Sequence, residues 1–267
     1  MLASRPSPLY LVPFGLAILA ALAAPSSPAQ TASNPPLAAV PATVSAAAAA
    51  LPSAGTLMQN LLARLPSKPV LITGDLVTSS ESSAGKERLG VGILLCYPSL
   101  AQYTILDSFG RAMEQLTLKR EAGQVQFAYQ TGDPLTNAPA PKLGARIQDT
   151  ALSWVDLTLS FVWWPEGRTI GREEIRGQPC YVVDRRPGPG DDNSYGSVRL
   201  WIDTRVSMLL QAEGSDRLGD LRRRLLVKSF KKINDEWMIK DLEFDDLQTG
   251  TKTVLKVKDA KPVQAAP

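Results

Sequence analysis

Between Tyr195 and Lys258 the chain carries an alternation that few folds can accommodate. Apolar residues recur at every second position: Val198, Leu200 and Ile202, then Met208, Leu210 and Ala212, then Met238, Leu242 and Phe244. A period of two places alternate side chains on one face of a sheet and sends Arg199 and Asp203 to the other. The breaks between these runs are short and polar: Asp203-Thr204-Arg205, Ser215 to Asp220, Asn234-Asp235 and Gln248-Thr249-Gly250. Such short links join antiparallel neighbours, because a parallel crossover needs about a dozen residues or more. The segment therefore reads as five strands in a meander with one greasy face that must be covered.

The strand pattern extends upstream. Val70–Val77, Lys86–Cys96, Tyr103–Asp107, Glu114–Lys119 and Val125–Tyr129 read as further strands, with a proline-bearing loop over Thr131–Pro141. Strand after strand without long intervening helices predicts one antiparallel sheet. Two segments depart from it. Leu57, Leu61, Leu62 and Leu65 keep helical spacing before Pro66. In Ala151–Trp164, Ser153 is placed to cap a helix, with Asp156 three residues on as a variant capping box and Pro165 as its stop. That helix is either a lid over the sheet or a fixed part of the core.

The chain has no histidine and two cysteines. This removes Ser-His and Cys-His nucleophile pairs, imidazole acids and bases, and the commonest zinc ligand sets. No Gly-x-Ser-x-Gly motif is present. The paired acids Glu173-Glu174, Asp191-Asp192 and Asp245-Asp246 are adjacent, and neighbours on a strand point to opposite faces rather than forming a dyad. We expect no catalytic residue, metal or cofactor. A formal net charge of +3 gives no footprint for nucleic acid. Arg222, Arg223, Arg224, Lys228, Lys231 and Lys232 form a basic streak that either meets anionic headgroups or blunts a strand edge, with successive arginines on opposing faces. Cys96 and Cys180 either pair or sit as small buried hydrophobes.

The run Val198-Arg199-Leu200-Trp201-Ile202-Asp203, the segment Leu209-Leu210-Gln211-Ala212-Glu213 and the hairpin around Trp237 resemble the bacterial outer-membrane lipoprotein-sorting family, which belongs with the LolA-type periplasmic lipoprotein carriers. Ser153-Trp154-Val155-Asp156-Leu157 and Gly177-Gln178-Pro179-Cys180-Tyr181-Val182-Val183 resemble further pieces of the same pattern. The resemblance covers roughly residues 71–257. It implies an α+β, mostly β fold: a strongly curved antiparallel sheet, an incomplete β-barrel, with short helices over its concave face. It also implies an apolar cavity for lipid or lipoprotein acyl chains. Phe161, Trp164, Leu200, Ile202, Leu210, Leu242 and Phe244 are the candidate ligand-binding residues. The same residues equally suit a filled core, in which case the chain is a protein-binding or envelope-sensing module with an envelope protein as its partner. In either case we expect a non-enzymatic monomer.

Four regions follow from composition. Arg5, the apolar run Leu9–Ala24 and small residues at Ser27-Pro28-Ala29 read as a signal peptide over 1–29, with export to the periplasm. Residues 30–53 are an Ala/Pro-rich linker, 54–260 the folded domain and 261–267 a tail. An uncleaved anchor is the alternative, but Pro13 interrupts a run already short of the roughly 20 residues a span needs. The mature protein is expected to lack at least Met1 to Ala23. N-terminal sequencing of protein from the cell envelope checks this, and an intact Met1 in the membrane fraction would make the segment an anchor.

Overall fold

The structure is a computed structural model. It describes residues 50–66, 68–80, 85–121, 124–189, 194–233 and 236–263. The signal peptide, nearly all of the linker, the Asp191-Asp192 pair, the Asn234-Asp235 break and the end of the tail lie outside the described residues.

The chain opens with α1 (Ala54–Leu62). Six strands follow: β1 (Val70–Ser79), β2 (Lys86–Cys96), β3 (Leu100–Leu106), β4 (Ala112–Glu121), β5 (Gln124–Thr131) and the short β6 (Thr136–Ala138). A crossover carries α2 (Trp154–Thr158) and a 3-10 turn, Ser160–Trp163. Seven more strands complete the fold: β7 (Glu166–Ile175), β8 (Gln178–Arg186), β9 (Ser197–Asp203), β10 (Leu209–Ser215), β11 (Leu221–Ile233), β12 (Glu236–Asp246) and β13 (Thr251–Pro262).

All thirteen strands form one antiparallel sheet, in the order β6-β5-β4-β3-β2-β1-β13-β12-β11-β10-β9-β8-β7. Two meanders are thus joined where β1 pairs with β13. The sheet is curved and does not close, since β6 and β7 remain its edges. The five-strand meander of the C-terminal part is present as expected, and β2 has the expected bounds. The Thr131–Pro141 loop holds β6, three residues too short to show a period. β13 runs to Pro262, opposite Val70, so the first residues assigned to the tail are sheet.

Side-chain carboxylates build four of the hairpin turns, with Asp203 accepting from the N–H groups of Arg205 and Val206 between β9 and β10. Asp107 accepts hydrogen bonds from the backbone N–H of Phe109 and Arg111, and Asp216 does the same for Leu218 and Asp220. Asp246 accepts from the N–H groups of Gln248 and Thr249. These are Asx-type turns, in which a short side chain stands in for a backbone acceptor. Gly110 and Gly219 take the positive φ values of 82° and 93° that the Asp107 and Asp216 turns require.

The concave face buries a continuous core in which Leu76, Ile105, Leu116, Leu200 and Ile202 are without appreciable exposure. The outer face is charged. Asp75, for example, lies 2.7 Å from Lys258 and 3.5 Å from Arg88. β1 and β13 meet at a bulge beside Gly74, where an added Cβ would lie 2.5 Å from the Lys256 carbonyl oxygen. At Gly92 it would meet nothing nearer than Thr104 Cβ at 3.9 Å. Gly74→Ala must therefore push backbone apart at the joint between the two meanders. We expect it to lower stability by about 1–3 kcal/mol, as overpacking does, while Gly92→Ala stays near wild type. Paired thermal melts check the difference.

Candidate functional site

The crossover is fixed on the concave face by charge. Ser153 and Asp156 form the expected capping box: the Asp156 carboxylate accepts from the Ser153 N–H at 2.8 Å, and the Ser153 Oγ from the Asp156 N–H. The same carboxylate accepts from the Tyr195 hydroxyl at 2.6 Å and pairs with Arg223 of β11 at 2.8 Å. Arg223 also lies 3.6 Å from Asp246, which holds Arg146 at 2.6 Å. Burial works against the Arg223 charge, but Asp156 and Asp246 outweigh it and hold its pKa above the ordinary arginine value. Burial, then the Asp156 carboxylate, pushes the Tyr195 phenol well above its usual range. A further link comes from Thr253 of β13, whose hydroxyl accepts the Ala151 N–H at 2.8 Å.

These bonds hold α2 over the sheet, and beneath it lies an apolar cavity of about 240 Å³. Its sheet wall comes from Ile72, Ile93, Tyr103, Leu242, Phe244 and Leu255 of β1, β2, β3, β12 and β13. Leu61 and Leu62 of α1 form one side, and Leu157, Leu159, Val162 and Trp163 of the crossover form another. Leu159 reaches the cavity from a left-handed backbone conformation (φ 50°, ψ 37°) that breaks the expected single helix into α2 and the 3-10 turn. Arg64, Leu65 and Trp237, all exposed, line the cavity where it meets the surface. The Tyr103 phenol is pushed up to about 12 by burial, against the opposing pull of Arg120, and stays neutral. A second space of about 520 Å³ lies beside the first, between β4–β5 and the crossover, and shares Arg120 and Trp163 with it.

The candidate ligand-binding residues separate into four groups. Leu242 and Phe244 line the cavity. Phe161 and Trp164 pack edge-to-face, 6.4 Å between ring centroids, and Phe161 is only 2% exposed. Leu200 and Ile202 are buried in the same core but touch neither space. Leu210 lies on the opposite face, in a small cluster with Cys180, Val182 and Trp201. A bulge between Leu209 and Gln211 breaks the alternation, so Leu209 rather than Leu210 turns to the cavity. The wall from β1, β2 and β3 had a signal of its own, the alternation Ile72-Leu76, Val91-Ile93-Leu95 and Ala101-Tyr103-Ile105. Arg120 had none.

The other motifs are absorbed by structure. β11 is an interior strand, so its basic streak guards no edge. Its charges have partners: Arg222 with Asp216, Arg224 with Glu213 and Lys228 with Glu243. Arg223 points to the other face, as the strand period requires. Asp245 and Asp246 also diverge, one pairing with Lys252 and the other, buried, with Arg146 and Arg223. Glu173 accepts from the Trp201 indole N–H at 2.8 Å. Both cysteines are free, and burial pushes the Cys180 thiol up to about 11. Among the described residues, no cluster of three or more His, Cys, Asp or Glu side chains is placed to hold a metal, and no helix is long and apolar enough to cross a membrane.

A family model described as "Uncharacterized protein" matches residues 116–267. The chain belongs to that family. No curated protein matches the sequence. Among solved structures, a DUF1329 family protein from Desulfovibrio piger superposes with a TM-score of 0.67 at 13% identity, covering 80% of this chain and 93% of that one. A putative outer membrane lipoprotein-sorting protein domain from Vibrio parahaemolyticus gives 0.67 at 14% identity, covering 79% and 93%. A LolA superfamily protein from Nitrosomonas europaea gives 0.63 at 16% identity, covering 81% and 96%. The fold is LolA-like, and at these identities the likeness speaks for the fold alone.

The clamp makes a quantitative prediction. Arg223→Ala leaves the buried Asp156 without its charge partner and Asp246 with Arg146 alone, a loss of about 3–5 kcal/mol for a buried pair. Arg224→Ala, which breaks an outward pair with Glu213, should cost about 1 kcal/mol or less. Denaturant unfolding of both variants checks the contrast.

Proposed function

We propose that this protein is a non-enzymatic carrier whose cavity takes up the acyl chains of lipids or lipoproteins, acting as a monomer in the periplasm after export. The observation that carries this reading is the apolar cavity of about 240 Å³ between the curved sheet and the crossover. An acyl chain needs no directional contacts, only apolar area, and each methylene buried is worth about 0.8 kcal/mol. A wall of Ile, Leu, Val and Phe supplies that area. The resemblance to lipoprotein-sorting proteins is consistent with the same cargo class. The alternative, a protein-binding module, would most simply use the free edge at β7 for strand addition. That edge exposes Arg168, Arg172 and Glu174, the charges that blunt an edge against pairing, and Thr169 donates to the Pro52 carbonyl just ahead of α1.

Ala101 provides the test, because it lines the cavity from β3. Ala101→Phe fills the space from within. The purified wild type should bind a fluorescent fatty-acid analogue saturably, and Ala101→Phe should abolish that binding while the melting temperature holds or rises. An Ala101→Phe variant that binds as well as wild type, or a wild type without saturable binding, removes the carrier reading. Phe161 is unsuitable as a probe, since truncating so buried a ring costs about 3–5 kcal/mol in stability.

A further inference from the structure

Arg120 is out of place in the wall it belongs to. It sits near the end of β4, half-buried, at the boundary between the two spaces, and lines both. Its guanidinium carbon lies 3.9 Å from the centroid of the Trp163 ring, which itself rests against Tyr97 at 5.9 Å. Its Nε is buried without a hydrogen-bond partner, and among the described residues no carboxylate lies within ion-pair distance of its guanidinium. Among the described residues, Asp156 is the one acid on the apolar cavity's wall, and it is committed to Ser153, Tyr195 and Arg223. The adjoining space of about 520 Å³ is lined by Arg120, Lys142 and Ser160 among apolar residues, and by no acid.

A half-buried guanidinium whose Nε is desolvated and unmatched is costly, and a stacking contact offsets only part of that cost. What fits it is an anion with paired acceptor oxygens, such as a carboxylate or a phosphate. An apolar cavity on one side and a cationic space on the other describe two ends of one ligand. Resting on the carrier reading, we propose that the cargo is an anionic amphiphile, whose acyl chain fills the apolar cavity and whose carboxylate or phosphate head is held by Arg120 in the adjoining space. This narrows the cargo to fatty acids and anionic lipids, rather than uncharged acyl esters. Trp163 then serves as the shared wall, orienting the guanidinium while its other edge meets the chain.

The test is displacement of a fluorescent, uncharged long-chain probe from the full chain by a fatty acid and by its methyl ester. Wild type, Arg120→Gln and Arg120→Lys are compared, each with a thermal melt. The acid should bind wild type about 10- to 100-fold more tightly than the ester, the range expected of a charged hydrogen bond. In Arg120→Gln the acid should fall to the ester's affinity while the ester is unchanged, and Arg120→Lys should keep part of the preference. Equal binding of acid and ester to wild type overturns the head-group assignment while leaving the carrier reading intact, and that ratio decides even if Arg120→Gln melts early. Equal loss of both ligands in a folded Arg120→Gln also overturns it. Binding of neither ligand overturns the carrier reading and this one with it. Inorganic phosphate alone should not displace the probe at the same concentration. If it does, the site is one for free anions and the amphiphile is wrong.

Discussion

The placement of the crossover on this sheet depends on the pairing of Arg223 with the buried carboxylates of Asp156 and Asp246. A thirteen-strand sheet with one apolar face has to cover that face with something, and the crossover between β6 and β7 supplies much of the cover. Its helix is five residues long, too short to hold itself together by backbone bonding alone. Asp156 therefore has two tasks, closing the helix N-terminus and accepting the charge of a strand from the middle of the sheet. Asp246 likewise ties the β12–β13 turn to Arg223 and Arg146 with its two oxygens. A pair of this kind contributes less to net stability than to uniqueness, because alternatives that break it strand a buried charge.

The concave face is not uniform. Toward β8–β11 it is packed solid: Phe161 meets Trp164, and Tyr195 fills the room left by Gly214, where an added Cβ would lie 2.4 Å from the Tyr195 ring. Toward β1–β3 and β12–β13 the crossover stands off and the cavity remains. The divide falls at Leu159, whose left-handed backbone turns the chain from α2 into the 3-10 turn. Filled core and cavity, the two readings between which an alternating sequence cannot choose, both occur here, on different halves of one sheet.

Much of the fold was legible because antiparallel sheets write a period of two into the chain and short turns write the connectivity. The bounds of β2, the five C-terminal strands and the Ser153–Asp156 box all follow from local patterns. Site membership was less legible for a specific reason. One extra residue in a strand flips everything beyond it, and the bulge at Leu209–Gln211 does so without a glycine or proline to mark it. Leu210 thus exchanged places with Leu209. By sequence, Phe161 and Trp164 group with the sheet residues as ligand contacts, and here Phe161 is buried against Trp164, which lines the second space rather than the apolar cavity. Arg120 left no trace, since Lys119-Arg120-Glu121 at a strand end reads as an ordinary solvated turn. Its significance comes from what lies over it, Trp163, forty-three positions away along the chain.

The same energetics determine where the cavity yields most easily. Lifting α2 would leave Arg223 and Asp246 buried without Asp156, and would free the capping box and the Thr253 contact as well. Moving the end of α1 costs much less. Leu61 and Leu62 are only partly buried, no charged group of α1 is tied into the clamp, and Arg64 and Leu65 beyond it are already exposed. Local opening follows the element with the fewest buried contacts. The lower-cost route into the cavity therefore runs beside α1 and Trp237, while the crossover and its arginine stay fixed. Under the proposed carrier function, a rigid crossover beside a yielding apolar entrance would let a chain slide in without disturbing the wall that carries Trp163 and, stacked on it, Arg120.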